Sequence, residues 1–280
     1  MNAEENVIEP SQAEKAELFR ALHEGPELLL LPNPWDVGSA KLLTWLGFAA
    51  LATTSGGFAA TLGRLDGSVT REEALAHGAE LAAATSLPVS ADLENAFADE
   101  PEGAAETIRM AVEAGLAGCS VEDFTGQPDS PIYDIGLATE RVAAAAAAAK
   151  AGLVQLVLTA RAENYLHGRP HLADTITRLQ AYQEAGADVL YAPGLTSLDE
   201  IRQVVSAVDR PVNVLAMPGG PAVPELAEAG VRRVSVGASF AFAALGAVVE
   251  AARELREQGS YGFLDLARSG RSAARAAFGS

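Results

Sequence analysis

The sequence predicts a (β/α)8 barrel of the TIM type, and three observations predict it. Apolar runs of strand length alternate eight times with helical patterns along 280 residues, and alternation of this kind implies a parallel sheet. No linker or composition break divides the units, so a single domain spans residues 1–280, near the ~250 residues usual for such a barrel. The pairs Ala114-Gly115, Ala185-Gly186 and Ala229-Gly230 fall where helical patterns stop before strands, as a helix C-terminal glycine should. A doubly wound open sheet is the runner-up, but no Gly-rich phosphate loop follows the first strand.

The elements follow in order. Within an N-terminal segment, 1–25, Ser11 caps a helix over 12–23 whose apolar face is Ala13, Ala16, Leu18 and Leu22. Strands are expected at 28–31, 48–53, 89–91, 117–121, 153–159, 188–191, 212–215 and 231–236. Their helices are expected at 36–46, 71–85, 104–114, 137–151, 172–185, 198–208, 223–229 and 238–256, with a long loop before the second. A last helix over 263–278, within a C-terminal extension at 260–280, is placed to pack on a neighbouring subunit. The alanine run 143–149 is a helix former by propensity.

Composition narrows the function classes. Nearly half the residues are hydrophobic, which supplies a large core and argues against disorder. A formal charge of −17 opposes a phosphate-backbone grip on nucleic acid and leaves an anionic substrate in need of a local positive centre. The one cysteine, Cys119, excludes an internal disulfide framework and fits a reducing compartment. Residues 1–10 are acidic, without the basic start of a secretory signal, and no apolar stretch reaches membrane-spanning length. The expectation is a soluble cytoplasmic protein.

Chemistry gathers at the strand ends, where barrel enzymes build their sites. The third strand runs into Asp92 and Glu94, two apart and so on one face of an extended chain. Like charges this close call for a cation or a shared proton, and hard divalent ions prefer such oxygens; the alternative is a solvated acidic pair. Glu122 and Asp123 end the fourth strand, and Thr159-Ala-Arg161-Ala-Glu163 ends the fifth. Arg161 is either an anion clamp or only the counter-ion of those acids. Thr54-Ser55-Gly56-Gly57 after the second strand reads as a flexible turn whose amides hold a carboxylate, or as an ordinary glycine turn. His23 and His77 fall in helical patterns as exposed residues, and His167 and His171 flank the loop after the fifth strand. Cys119 lies three residues before Glu122 and so faces away from it, into the core.

Taken in order, these motifs resemble the isocitrate lyase and phosphoenolpyruvate mutase superfamily. The likeness runs over nearly the whole chain, from Asn33-Pro-Trp-Asp-Val-Gly-Ser-Ala40 through Ser55-Gly-Gly57, Asp92-Leu-Glu94, Ser120-Val-Glu-Asp123, Ala160-Arg161 and Ala185-Gly-Ala-Asp188. It implies a barrel that binds Mg²⁺, or Mn²⁺ in its place, and a small keto or 2-hydroxy carboxylate. It also implies a homodimer or homotetramer that exchanges the last barrel helix. By position, Asp92, Glu94 and Glu122 resemble the metal-site acids, Ser55, Gly56 and Gly57 the carboxylate cradle, and Arg161 the clamp. Asp66 resembles the acid near the metal's water shell, and Glu163 an acid behind it.

The departures from that family are specific. Its lyases carry Lys-Lys-Cys-Gly-His in a gating loop after the fourth strand, and this chain has Phe124-Thr-Gly-Gln-Pro-Asp-Ser-Pro-Ile-Tyr133. Phe124 stands where the mutase and hydrolase branches place a lysine, and Ala192-Pro193 where the mutase has a histidine. The reading is a lyase cleaving a carbon–carbon bond of a 2-hydroxy or keto (di)carboxylate, by retro-aldol or Claisen-type cleavage or by decarboxylation, through a metal-stabilised enolate. Glu122 and Asp66 complete the catalytic set, with Tyr133 and His167 as candidate proton donors on closing loops. Carbon–phosphorus chemistry on a phosphonopyruvate-like substrate, and a keto-acid-binding barrel without turnover, are the alternatives.

Overall fold

Eight short strands form one parallel sheet in the order β1-β8-β7-β6-β5-β4-β3-β2. They are β1 (Leu29–Leu31), β2 (Leu51–Ala52), β3 (Val89–Asp92), β4 (Gly118–Glu122), β5 (Val157–Arg161), β6 (Val189–Tyr191), β7 (Val212–Leu215) and β8 (Arg233–Ser235). The Ala52 N–H donates to the Pro32 carbonyl at 3.1 Å, which joins the two ends of the sheet and closes the barrel. The structure, a computed structural model, describes residues 9–279; most of the acidic 1–10 stretch lies outside them.

The helices are α1 (Gln12–Glu24), α2 (Val37–Trp45), α3 (Ser55–Thr61), α4 (Arg71–Ala83), α5 (Pro101–Glu113) and α6 (Ile135–Ala149), then α7 (Leu172–Glu184), α8 (Leu198–Ala207), α9 (Val223–Glu228), α10 (Ser239–Gln258) and α11 (Leu264–Phe278). Side-chain caps start most of them. Ser11 and Glu14 form a capping box on α1, Thr70 and Glu73 another on α4, satisfying amides that a helix cannot bond internally.

Two layers of core result. The outer one lies between sheet and helices and includes Ala91, Cys119, Val121, Leu158, Ala160 and Leu190. The inner one closes the N-terminal mouth, where α1 inserts Phe19 among Leu29, Leu31, Val157 and Val189. Gly118 makes room for that ring: a Cβ there would lie 2.7 Å from Phe19 Cε1 and 2.8 Å from the Val157 carbonyl. Above Phe19 the interior turns polar, and the site begins.

The structure corrects several expectations. β5 starts at Val157 rather than at 153, because Leu153 is 99% exposed in the turn after α6. The strand therefore carries Thr159 and Arg161 within its own ladder. The turn expected at Ser55-Gly56-Gly57 is the first turn of α3, capped by Thr54. His23 and His77 are buried, not exposed: each sits on the inward face of its helix, beside Phe19 and Phe58 respectively.

Candidate active site at the C-terminal mouth of the barrel

Alternation along a strand sends every second side chain inward. Glu122, Arg161, Tyr191, Asn213 and Arg233 are successive register partners from β4 to β8, so one polar row runs around half the barrel. Tyr191, Asn213 and Arg233 are joined by Asn33, Ser90, Asp92, Ser120 and Ser235 in lining a cavity of about 200 Å³.

Arg161 is the centre. Its Nη1 contacts Asp92 Oδ1 at 2.9 Å, Nη2 contacts Glu122 Oε2 at 3.0 Å, and Nε contacts Glu163 Oε1 at 2.7 Å. The guanidinium also lies 5.3 Å above the Tyr191 ring. A planar fork that meets three separate carboxylates is held in position and stays charged. Asp92 accepts from the Ser55 amide at 3.2 Å, the Ser120 hydroxyl at 3.4 Å and the Glu94 amide at 3.4 Å. The Ser55–Gly57 turn is thus tied to Asp92, and Asp66 faces it: a Cβ on Gly56 would lie 3.2 Å from Asp66 Oδ2.

Glu94 is held differently. Its backbone has φ of +48°, uncommon for a residue with a Cβ, and its buried Oε1 has no hydrogen-bond partner. Burial, then Asp92 and Asp66, push its carboxyl up to about 7, against the pull of Arg161. Burial also pushes Glu122 upward, opposed by Arg161. Glu94 Oε1 and the similarly unpartnered His77 Nε2 belong to residues bordering one small cavity of about 10 Å³, about the room that one water requires.

These observations test whether the residues fit a divalent cation. The donors are oxygen only, the four carboxylates Asp92, Glu94, Glu122 and Glu163 outnumber the one guanidinium among them, Arg161, and Glu94 Oε1 is free to bind. That set fits a hard ion which keeps several of its waters. Among the described residues no group of three His, Cys, Asp or Glu side chains is placed to hold an ion. Asp92, Glu94 and Glu122 do share one end of the barrel, but Asp92 and Glu122 close on Arg161 rather than on a common ion position.

Two expected residues lie away from the cavity. Tyr133 is buried, its hydroxyl donating to Asp99 and accepting from Asn95 Nδ2, with Arg141 4.2 Å over its ring. His167 stacks on Phe124 with centroids 3.7 Å apart, and its Nε2 lies 3.8 Å from Glu163 Oε2. Phe124 bridges to Ile132, so the segment in the gating position is a small antiparallel turn. Asp123 is structural: it accepts from Tyr182, Arg178 and the Glu163 amide.

Sequence reasoning missed Tyr191, Asn213 and Arg233. The signal was present as single polar residues inside apolar strands, in Val212-Asn-Val214 and Arg233-Val-Ser235.

Residues 19–256 match the family model described as phosphoenolpyruvate phosphomutase. The chain belongs to that family. The family lies within the phosphoenolpyruvate mutase/isocitrate lyase superfamily, whose structures share this barrel. The chain is 54% identical to a solved protein of Burkholderia cenocepacia J2315 described provisionally as a lyase/mutase, with a TM-score of 0.91 over 94% of this chain and 96% of that one. It is 30% identical to the 2-methylisocitrate lyase of Bacillus subtilis (strain 168), over 74% of this chain and 68% of the lyase. A solved phosphonopyruvate hydrolase, in complex with oxalate and Mg²⁺, is 25% identical with a TM-score of 0.79 over 90% of each chain.

Proposed function

We propose that this phosphomutase-family barrel is a Mg²⁺-dependent lyase that cleaves a carbon–carbon bond of a small 2-hydroxy or keto dicarboxylate. The observation that carries the reading is Arg161, fixed by three carboxylates at the mouth of a polar cavity. Asp92, Glu94 and Glu122 would hold the ion, with Asp66 beside them. When bound, it acts as a Lewis acid that stabilises negative charge on a substrate oxygen.

The chain's own groups do the rest. Arg161 presents a fixed positive charge to the enolate left by bond cleavage, without reorganising as that charge develops. The α3 amides and Asp66 bound the reacting end of the substrate. Tyr191 lines the cavity with a phenol that burial pushes up to about 12. It therefore keeps its proton at neutral pH and would deliver it to the departing carbon, the role expected of Tyr133 or His167.

The test is a Mg²⁺-dependent screen of 2-hydroxy dicarboxylates, oxaloacetate and phosphonopyruvate. Formation of a shorter keto acid or oxalate supports the lyase, and no turnover across the panel rejects it. Family membership favours a second reading, carbon–phosphorus chemistry, which release of phosphate or a rearranged phosphate ester from phosphonopyruvate would establish instead.

A further inference from the structure

The cavity floor holds a cation that the proposed chemistry leaves unused. Arg233 is 4% exposed. Its Nε donates to Asn213 Oδ1 at 2.9 Å, its Nη2 to Thr159 Oγ1 at 3.0 Å, and its Nη1 lies 3.2 Å from His23 Nε2. All three partners are neutral. The imidazole is among them, because burial and then Arg233 push its pKa down to about 3. Besides burial, the groups that act on Arg233 are the Tyr191 phenol, which is protonated at neutral pH, and the Arg161 cation; no carboxylate is among them.

A buried guanidinium held by neutral groups alone is costly. Burial accordingly pushes its pKa down to about 10. Arg161 is the opposite case, each of its nitrogens answered by a carboxylate. An anion entering the mouth therefore meets a compensated cation first and an uncompensated one below it. Three of the five N–H groups an arginine offers are taken at Arg233, which leaves two.

The space matches that role. The cavity of about 200 Å³ reaches Arg233, Asn213, Ser235 and Asn33, many times the ~10–15 Å³ that one buried water occupies. Barrel interiors at this depth are commonly filled by branched apolar side chains, and here hydroxyls, amides and a guanidinium line open volume.

We propose that Arg233, supported by Asn213 and Ser235, is a specificity-determining anion subsite that takes the second carboxylate of a dicarboxylate whose reacting end lies at Arg161. The proposal deepens the lyase reading and rests on it for the class of substrate.

Equilibrium binding tests it without turnover. The full chain is titrated calorimetrically, with Mg²⁺ present, against malate and lactate, which share a 2-hydroxy acid end and differ by one carboxylate. Wild type is expected to favour malate by about ten- to a hundredfold, the range for a hydrogen-bonded charged contact. Arg233→Met should remove most of that preference. Asn213→Asp sets a carboxylate of nearly the same shape against Arg233 Nε and should remove it as well, in a protein whose buried pair is now compensated. That variant decides the matter if Arg233→Met does not fold. Equal wild-type affinity for the two acids, no binding of either, or an undiminished preference in folded Asn213→Asp overturns the subsite. Preference for malate without cleavage of any acid overturns the lyase reading and leaves the subsite standing; cleavage without preference does the reverse.

Discussion

Tyr191 and Tyr133 carry the same phenol and are held in opposite ways. Tyr191 borders the cavity, whereas Tyr133 donates its hydroxyl hydrogen bond to Asp99 and lies under Arg141. Tyr191→Phe is expected to lower turnover by about 10²–10⁴, the usual contribution of a positioned general acid. Tyr133→Phe should leave turnover near wild type and cost about 1 kcal/mol of stability for the lost hydrogen bond. Steady-state rates and thermal midpoints of the two variants check this, and the reverse pattern would restore Tyr133 as the donor. Arg161 allows a second prediction. Lysine keeps the charge but cannot meet Asp92, Glu122 and Glu163 together, so Arg161→Lys should lose about 10²–10³ in turnover through weaker transition-state stabilisation. Its thermal midpoint should fall too, since buried carboxylates are left unpaired; unchanged turnover with a lowered midpoint would make Arg161 purely structural. Arg161 and Cys119 were legible because parity along a strand fixes direction: Cys119 is fully buried in the outer core, and burial pushes its thiol up to about 12. Which tyrosine borders the cavity was not legible, because a loop tyrosine and a strand tyrosine look alike until the register is known.

Elements carry the site as much as residues do. α3 brings Gly57 so near Thr54 and Trp35 that a Cβ there would lie 2.5 Å from Thr54 Cγ2 and 3.2 Å from Trp35 Cβ. This packing is long-range, so the sequence shows two glycines and a turn where the fold has a capped helix. α4 backs the same region with His77, stacked on Phe58 at 3.9 Å. Burial pushes His77 from its ordinary value near 6.5 down to about 4. Between those two values the unfolded chain binds a proton at His77 that the folded chain refuses. Its contribution to stability is therefore complete above pH 6.5 and is lost as the pH falls to 4. His77→Phe retains the stacking and removes the titration. The variant should match wild type near neutral pH and gain on it by up to about 1.4 kcal/mol per pH unit inside that window. Denaturant unfolding at several pH values measures the difference, and parallel curves for the two proteins would contradict it. The eight-unit alternation was readable because each helix and strand announces its own period. Strand limits were not, since Leu153 is apolar in composition and exposed in place.

At the scale of the molecule, the barrel closes on itself but its last helices do not. Among the described residues of α10, a helix of twenty, only Ala241 is buried. Phe240, Phe242, Leu245, Val248, Val249 and Leu255 on α10, and Leu264, Leu266 and Phe278 on or beside α11, are exposed. α11 packs back against α2, where Gly38 comes within reach of the Phe278 ring. No helix of the described residues is long and apolar enough to cross a membrane. Exposed apolar patches mark protein–protein contacts, and we propose a second copy of the chain as the partner, whose own α10 would offer a matching face. Closed two-fold association buries one patch against its equal. A net charge of −17 opposes loose aggregation and leaves a specific apolar contact as the driving term. The prediction is a homodimer or homotetramer by light scattering at micromolar concentration. Leu245→Glu with Val248→Glu should shift it toward monomer, because charges buried at an apolar contact cost several kcal/mol. The monomer should retain its far-ultraviolet dichroism if α10 is held by the barrel, and lose helical signal if the exchange of α10 between copies is what orders it. A wild-type protein that sediments as a monomer at every concentration would leave the apolar face of α10 without this partner.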